Sequence, residues 1–268
     1  MKNYILHLMI IFMTTLVSSA QNCEYKEYYN IVASAKNYYS RKKYKDANKE
    51  FKLAFSKVQF ALGHDLSFAL VAANKSKDYN WAGTIAEKLA KGGIPLRYFS
   101  KYKKEKWYEK FNSEFENYSN YYRDSLSTQL RDKLLSLIKR DREFNSEYHK
   151  WRAHKIEMTL DELIDGASEI LEEFKNLVEI YGFPTEQKMG YNYVSSKDMI
   201  ESYPIDVLII HIYQRGVLLF ENEIQRIICE GGLEPQWVDT LKELRGYGNN
   251  TGVEQEMKAR FERFRGEK

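Results

Sequence analysis

Two side chains of this 268-residue sequence stand out for what they could do together, Asp141 and His211. The steps 134, 137, 141, 144, 148 and 151 read Leu, Leu, Asp, Phe, Tyr and Trp, so a carboxylate interrupts an otherwise apolar helical stripe. His211 sits in the run Val207-Leu-Ile-Ile-His211-Ile212, which is apolar almost all round. A carboxylate that orients an imidazole is the geometry of general-base catalysis, with Arg142 or Arg215 available to clamp an anion. The same pair is also an ordinary way to satisfy two buried polar groups with one hydrogen bond. Asp141 must find some partner, because burying an unpaired charge is costly.

Little else in the chain offers chemistry. There is no P-loop, dinucleotide fingerprint, HExxH, GxSxG or paired CxxC. Of the five histidines, His7 falls in the leader, His64 in an expected turn, and His149 and His154 lie five apart, a spacing that points them to different helix faces. No metal site and no cofactor is expected. The 41 basic and 38 acidic residues give a net charge of +3, too even to argue for nucleic acid as a partner. Gly plus Pro is 18 of 268 with 43% hydrophobic residues, which excludes collagen and a disordered tail. Two cysteines are too few for a disulfide-stapled mini-protein.

The elements that position these residues begin after an export leader. Lys2 supplies a basic start, Ile5 to Val17 an apolar stretch, and Ser18-Ser19-Ala20 the small residues of a signal-peptidase site, so residues 1–20 read as a signal peptide. That stretch is shorter than the ~18 residues needed to span a bilayer, and no later segment of the mature chain reaches that length. The protein is therefore expected to be exported, periplasmic or extracellular. Cys23 raises lipid anchoring, which Asn22 argues against, since lipoprotein signals place Gly, Ala or Ser there. Cys23 and Cys229 either pair in an oxidising compartment or stay apart as a terminal thiol and a small buried hydrophobe.

Residues 28–95 carry a period of 35. Ala35, Tyr38, Tyr44, Ala47, Phe51 and Ala54 repeat as Leu70, Ala73, Tyr79, Ala82, Ala86 and Leu89. Small residues let paired helices cross closely while large ones fill the gaps. This spacing resembles the tetratricopeptide repeat, with Tyr44-Lys-Asp-Ala47 and Tyr79-Asn-Trp-Ala82 at the second helix of each pair. The second copy is degenerate, with Ala86 at the Phe51 position. Two such repeats need a cap, and Trp107, Phe111, Phe115, Tyr118 and Tyr122 within 96–124 provide helically spaced aromatics for one. Tyr38, Tyr44 and Tyr79 are the candidate residues for binding a protein or peptide.

The domain boundaries expected are 21–124 for the repeats and their cap, 125–252 for a C-terminal helical domain, and 253–268 for a charged tail. A long amphipathic helix is expected over 125–152, with Leu126 opening its stripe, and the capping box Thr159-Leu-Asp-Glu162 opens the next, closed by Gly182 and Pro184. Residues 183–203 read as a loop. Pro204 should lead a buried helix from Ile205 to Phe220, Glu221 a helix to Cys229, and Pro235 a short one to Leu244. Residues 97–155 carry 15 basic and 9 acidic side chains, and 156–184 carry 1 and 8, so these neighbours should face each other.

Over 134–252 the chain resembles an uncharacterised bacterial domain family of exported proteins. The matching residues are Asp141 with Arg142, Gly182-Phe183-Pro184-Thr185, Gly190, His211 and Tyr247-Gly248-Asn249. Arg142 replaces a usual Gln, and Asn249 a usual Thr. The resemblance implies no established activity. The fold class expected is all-α: antiparallel, tetratricopeptide-like helix pairs followed by a helical bundle. Three functions remain open: an exported protein–protein interaction or scaffold protein; a hydrolase-like enzyme with a buried Asp141/His211 site; or a cell-envelope glycan-binding module using Tyr118, Tyr121, Tyr122, Tyr191 and Tyr193.

Overall fold

The computed structural model describes residues 23–215, 217–244 and 259. The leader, the 245–252 loop with Tyr247-Gly248-Asn249, and all but one residue of the 253–268 tail lie outside the described residues. The fold is all-α, with adjacent helices packed in pairs and one small two-stranded sheet among the described residues.

The front unit is two helix pairs, α1 (Glu24–Ser40) with α2 (Tyr44–Phe55), and α3 (Gly63–Lys75) with α4 (Tyr79–Lys91). The period read from the sequence is realised in burial. Ala35, Ala47, Phe51 and Ala54 of the first pair, and Leu70, Ala73, Ala82, Ala86 and Leu89 of the second, are all fully buried. This packing of adjacent pairs is compatible with helical repeats. Asp78 caps α4 by accepting from the Trp81 amide at 3.4 Å, and its carboxylate also takes Asn48 and Lys52 of α2, tying the pairs together. Residues 96–102 form a 3₁₀ segment, and α5 (Tyr108–Ser125) then closes the stack. Trp107 and Phe111 are buried there, and the Trp107 indole donates to Asn74 at 2.8 Å.

The rear unit is built on α6 (Thr128–Arg152) and α7 (Leu160–Tyr181). Leu126 lies before α6 and caps the end of α5 instead, because Ser127 holds the N-cap by accepting from the Leu130 amide. The Thr159/Glu162 capping box is present, and Arg140 of α6 pairs with Glu173 and, at 3.6 Å, with Glu169 of α7. The basic and acidic helices thus do face each other. Residues 183–203 hold more order than a loop: a turn of helix, α8 (Glu186–Met189), and a hairpin of β1 (Asn192–Val194) with β2 (Met199–Glu201). Next come α9 (Ile205–Gln214), α10 (Ile224–Cys229) and α11 (Trp237–Leu244). Helix α9 is shorter than its apolar run. Beyond Gln214 the chain turns so that Tyr213 donates to the Leu219 carbonyl at 3.0 Å and Phe220 packs edge-on against Phe174 and Phe183.

The two larger hydrophobic cores are drawn from separate stretches of sequence, apart from Cys23 on the rear core and a short rear segment on the front one. Tyr191, just before β1, and Ile200, in β2, are buried in the front core. The Tyr191 ring wedges between Gly63 and Gly92, where an added Cβ would come within 2.5 and 2.1 Å of it. Only glycine leaves room at either point. The Tyr191 amide donates to the Gly92 carbonyl at 2.7 Å, and its hydroxyl to the Ala61 carbonyl at 3.1 Å. Cys23, just before α1, forms a disulfide with Cys229 at the end of α10, with Cα atoms 4.7 Å apart. Of the two fates open to the cysteines in sequence, the structure therefore shows the paired one.

Candidate functional site

Helix phasing brings Asp141 and His211 together. Asp141 projects from the middle of α6 between Leu137 and Phe144, and α9 crosses α6 there to present His211. His211 Nδ1 lies 2.5 Å from Asp141 Oδ2, and Arg215 Nη2 donates to Asp141 Oδ1 at 3.1 Å. The carboxylate is 1% exposed and both of its oxygens are engaged. The Arg215 guanidinium stands 4.8 Å over the Phe144 ring, and its Nη1 is buried without a partner among the described residues. Burial pushes the Arg215 guanidinium down from its ordinary value, with Asp141 opposing that shift. Arg142, the other candidate clamp, is exposed on α6, so Arg215 is the cation that meets Asp141.

An imidazole held by Nδ1 in this way presents Nε2 as the free ring nitrogen. That is the orientation a general base uses, and equally that of a buried imidazole serving a carboxylate.

The three candidate binding tyrosines are half-buried against the front core. Tyr38 ends α1 and Tyr44 opens α2, where its ring meets Tyr39 edge-on at 5.6 Å. Tyr79 belongs to the next pair and lies under the Lys106 ammonium at 5.5 Å. The five tyrosines considered for glycan stacking are not gathered on one face. Tyr191 is buried, Tyr118 stacks on Phe111, and Tyr121 is 50% exposed under Lys91. Tyr193 lies apart on the hairpin, hydrogen-bonded to Asp198 and Arg97.

A second polar constellation, absent from the sequence reading, lies where the units meet. Glu186 is 8% exposed, and its Oε2 accepts the Gly63 amide at 2.7 Å. It borders a cavity of about 80 Å³ also lined by Tyr29, Tyr203, Asp206, Glu234 and Trp237. Burial, with some help from Asp65, pushes the Glu186 carboxyl up to about 8. Burial also raises the carboxyls of Asp206 and Glu234. These residues come from five separate stretches of chain, and no local pattern links them. The nearest signal in the sequence is Thr185-Glu186 four residues ahead of Gly190, in a stretch that reads as a loop. No helix of the described residues is long and apolar enough to cross a membrane. Compared with known proteins, the chain matches no protein family, no curated protein and no solved structure.

Proposed function

We propose that this chain is an exported interaction protein, whose tetratricopeptide-like helix pairs dock an acidic segment of a partner protein or peptide. In this reading the rear bundle, including its resemblance to the uncharacterised exported family, is scaffold. The observation that carries it is the surface around the α1–α2 turn. Arg41, Lys42, Lys43, Lys45 and Lys49 are all exposed there, beside the half-buried rings of Tyr38, Tyr39 and Tyr44. Residues 36–57 carry eight basic side chains against two acidic ones. Long-stemmed cations around amphipathic rings suit an acidic segment with apolar anchors.

The cluster at Asp141 is assigned a structural role, because both carboxylate oxygens are already bonded, one to His211 of α9 and one to Arg215 at its C-cap. Export is supported by the apolar leader and by the disulfide, which persists in oxidising compartments. A Cys23 sulfur joined to Cys229 is also not free to carry a lipid.

The test is affinity capture from envelope extract with residues 21–268, in parallel with the triple variant Lys42→Glu, Lys43→Glu, Lys45→Glu. The expected result is a specific partner that elutes as salt is raised and is lost from a variant of unchanged melting temperature. A partner retained equally by the variant overturns the assignment of this surface.

A further inference from the structure

Among the described residues, the cavity between the units is lined by acceptors and rings and by no cation: Glu186, Asp206, Glu234, Tyr29, Tyr203 and Trp237 are present, and no Lys, Arg or His. Two of these polar groups are left without partners among the described residues: Glu186 Oε1 and the hydroxyl of Tyr203, a residue only 6% exposed. Buried polar atoms are rarely left unpaired, and each one left so is destabilising. The nearby charges are engaged elsewhere or stand further back. Asp65 on α3 already takes the Lys36 ammonium at 2.6 Å and the Tyr28 hydroxyl at 2.7 Å. Arg142 acts on Asp206 from α6, Lys36 on Glu234 from α1, and Arg131 and Asp132 on Tyr203.

We propose that this cavity binds a primary ammonium group, carried either by a small alkylamine or by a lysine side chain of a peptide. The three N–H donors of an ammonium answer Glu186 Oε1, the Tyr203 hydroxyl and a carboxylate of Asp206 or Glu234, while the Tyr29 and Trp237 rings suit its alkyl stem and its charge. An anion would meet three carboxyl groups, and an apolar ligand would leave the two orphaned acceptors unpaired. Among the described residues no group of three or more His, Cys, Asp or Glu side chains is placed to hold a metal ion. At about 80 Å³ the cavity is roughly half the size of one that holds benzene, enough for a stem of three or four carbons. Asp206, Glu234 and Trp237 are half-buried, which places the mouth on their side and Glu186 at the closed end.

An ammonium beside Glu186 favours its ionised form, so binding below about pH 8 must expel the carboxyl proton. Calorimetry on the oxidised mature chain at pH 7, in phosphate and in HEPES, measures that proton directly. The probes are n-propylamine, Nα-acetyl-lysine methylamide and its Nε-acetylated form, with potassium chloride at equal concentration as a control.

The expected result is release of close to one proton per amine at pH 7, fading towards pH 9, with no response to the Nε-acetylated probe. Glu186→Gln should abolish the release and weaken binding at least tenfold. Tyr203→Phe, which keeps the ring, should weaken it three- to tenfold, and still tests the site if the Gln variant does not fold. Preference for propylamine or for the lysine probe separates the two sources. The proposal is overturned by no binding of either amine, by binding without proton release, by unchanged affinity in both variants, or by an equal response to potassium. The triple charge reversal at Lys42, Lys43 and Lys45 should leave amine binding intact, so this test and that of the docking surface fail independently.

Discussion

The front and rear of the molecule reach a packed core by opposite means. In the front unit, alanines at a fixed period let neighbouring helices touch, and the core grows by contact between chain neighbours. In the rear unit, distant segments are brought together by specific polar groups and tight turns. Asp141 meets residues 70 and 74 positions away, and Phe220 turns back onto Phe174 and Phe183. The difference teaches where each half is vulnerable. Where apolar neighbours stack, loss of one contact is shared among the rest, whereas removing a carboxylate that serves two partners leaves those partners buried and unpaired, a vulnerability the front unit shares only at Asp65 and Asp78.

That contrast can be broken most forcefully at the covalent link. Cys23→Ser with Cys229→Ser, or reduction, removes a closure spanning 206 residues, worth up to about 5 kcal/mol by chain entropy. Calorimetric melting should move to lower temperature and divide into two transitions, one for each unit. A single undivided transition would show that the units melt as one body.

Within the rear unit, Asp141→Ala should cost about 3–5 kcal/mol by denaturant unfolding, because Arg215 is left buried without its counter-charge. A cost below about 1 kcal/mol would remove the polar half of the contrast. At the boundary, Tyr191→Ala should cost a similar 3–5 kcal/mol through the cavity left between Gly63 and Gly92. Hydrogen exchange should place the resulting loosening in α3 and α4 as well as in the hairpin; loosening confined to the hairpin would mean that Tyr191 does not wedge the front core.

His211→Ala should be milder, about 1–3 kcal/mol, since Asp141 keeps Arg215. A neutral effect on melting would place the imidazole outside the polar cluster.

A further effect is one of pH. Glu186 has its carboxyl raised from 4.5 to about 8, so the folded state holds that proton more tightly than the unfolded chain does. Its contribution to stability is complete below about pH 4.5 and is lost as pH rises through about 8. Melting temperature followed from pH 5 to 9 should fall more steeply in the wild type than in Glu186→Gln. Asp206 and Glu234, raised in the same direction, keep some slope in the variant. Parallel curves would sever Glu186 from the joint.

The front half was legible because its order is local. Ala35 and Ala47 report their burial through spacing alone, and the 35-residue shift carries the pattern to Ala82 and Leu89. Asp141 and His211 were legible for a related reason, each being a polar residue in an apolar phase. Of the two arginines the sequence offered, Arg142 lies around the helix from Asp141, while Arg215 follows His211 by one turn and meets the carboxylate. The rest was hidden by distance. Nothing near Gly92 announces that a tyrosine 99 positions later will lie against it, and nothing near Glu186 points to Gly63. The apolar run after Gln214 looked helical because periodicity registers burial and not the turn that delivers it.

The Cys23–Cys229 bond also dictates how the molecule bears load. Both helical units lie almost wholly within the ring that this bond closes. A pull applied at the two cysteines runs from sulfur to sulfur across a Cα separation of 4.7 Å, and bypasses the core residues inside the ring, though not Leu233 and Leu241 beyond it. Oxidised, the stretch from Cys23 to Cys229 is an inextensible clasp; reduced, it becomes a spring that pays out helix by helix.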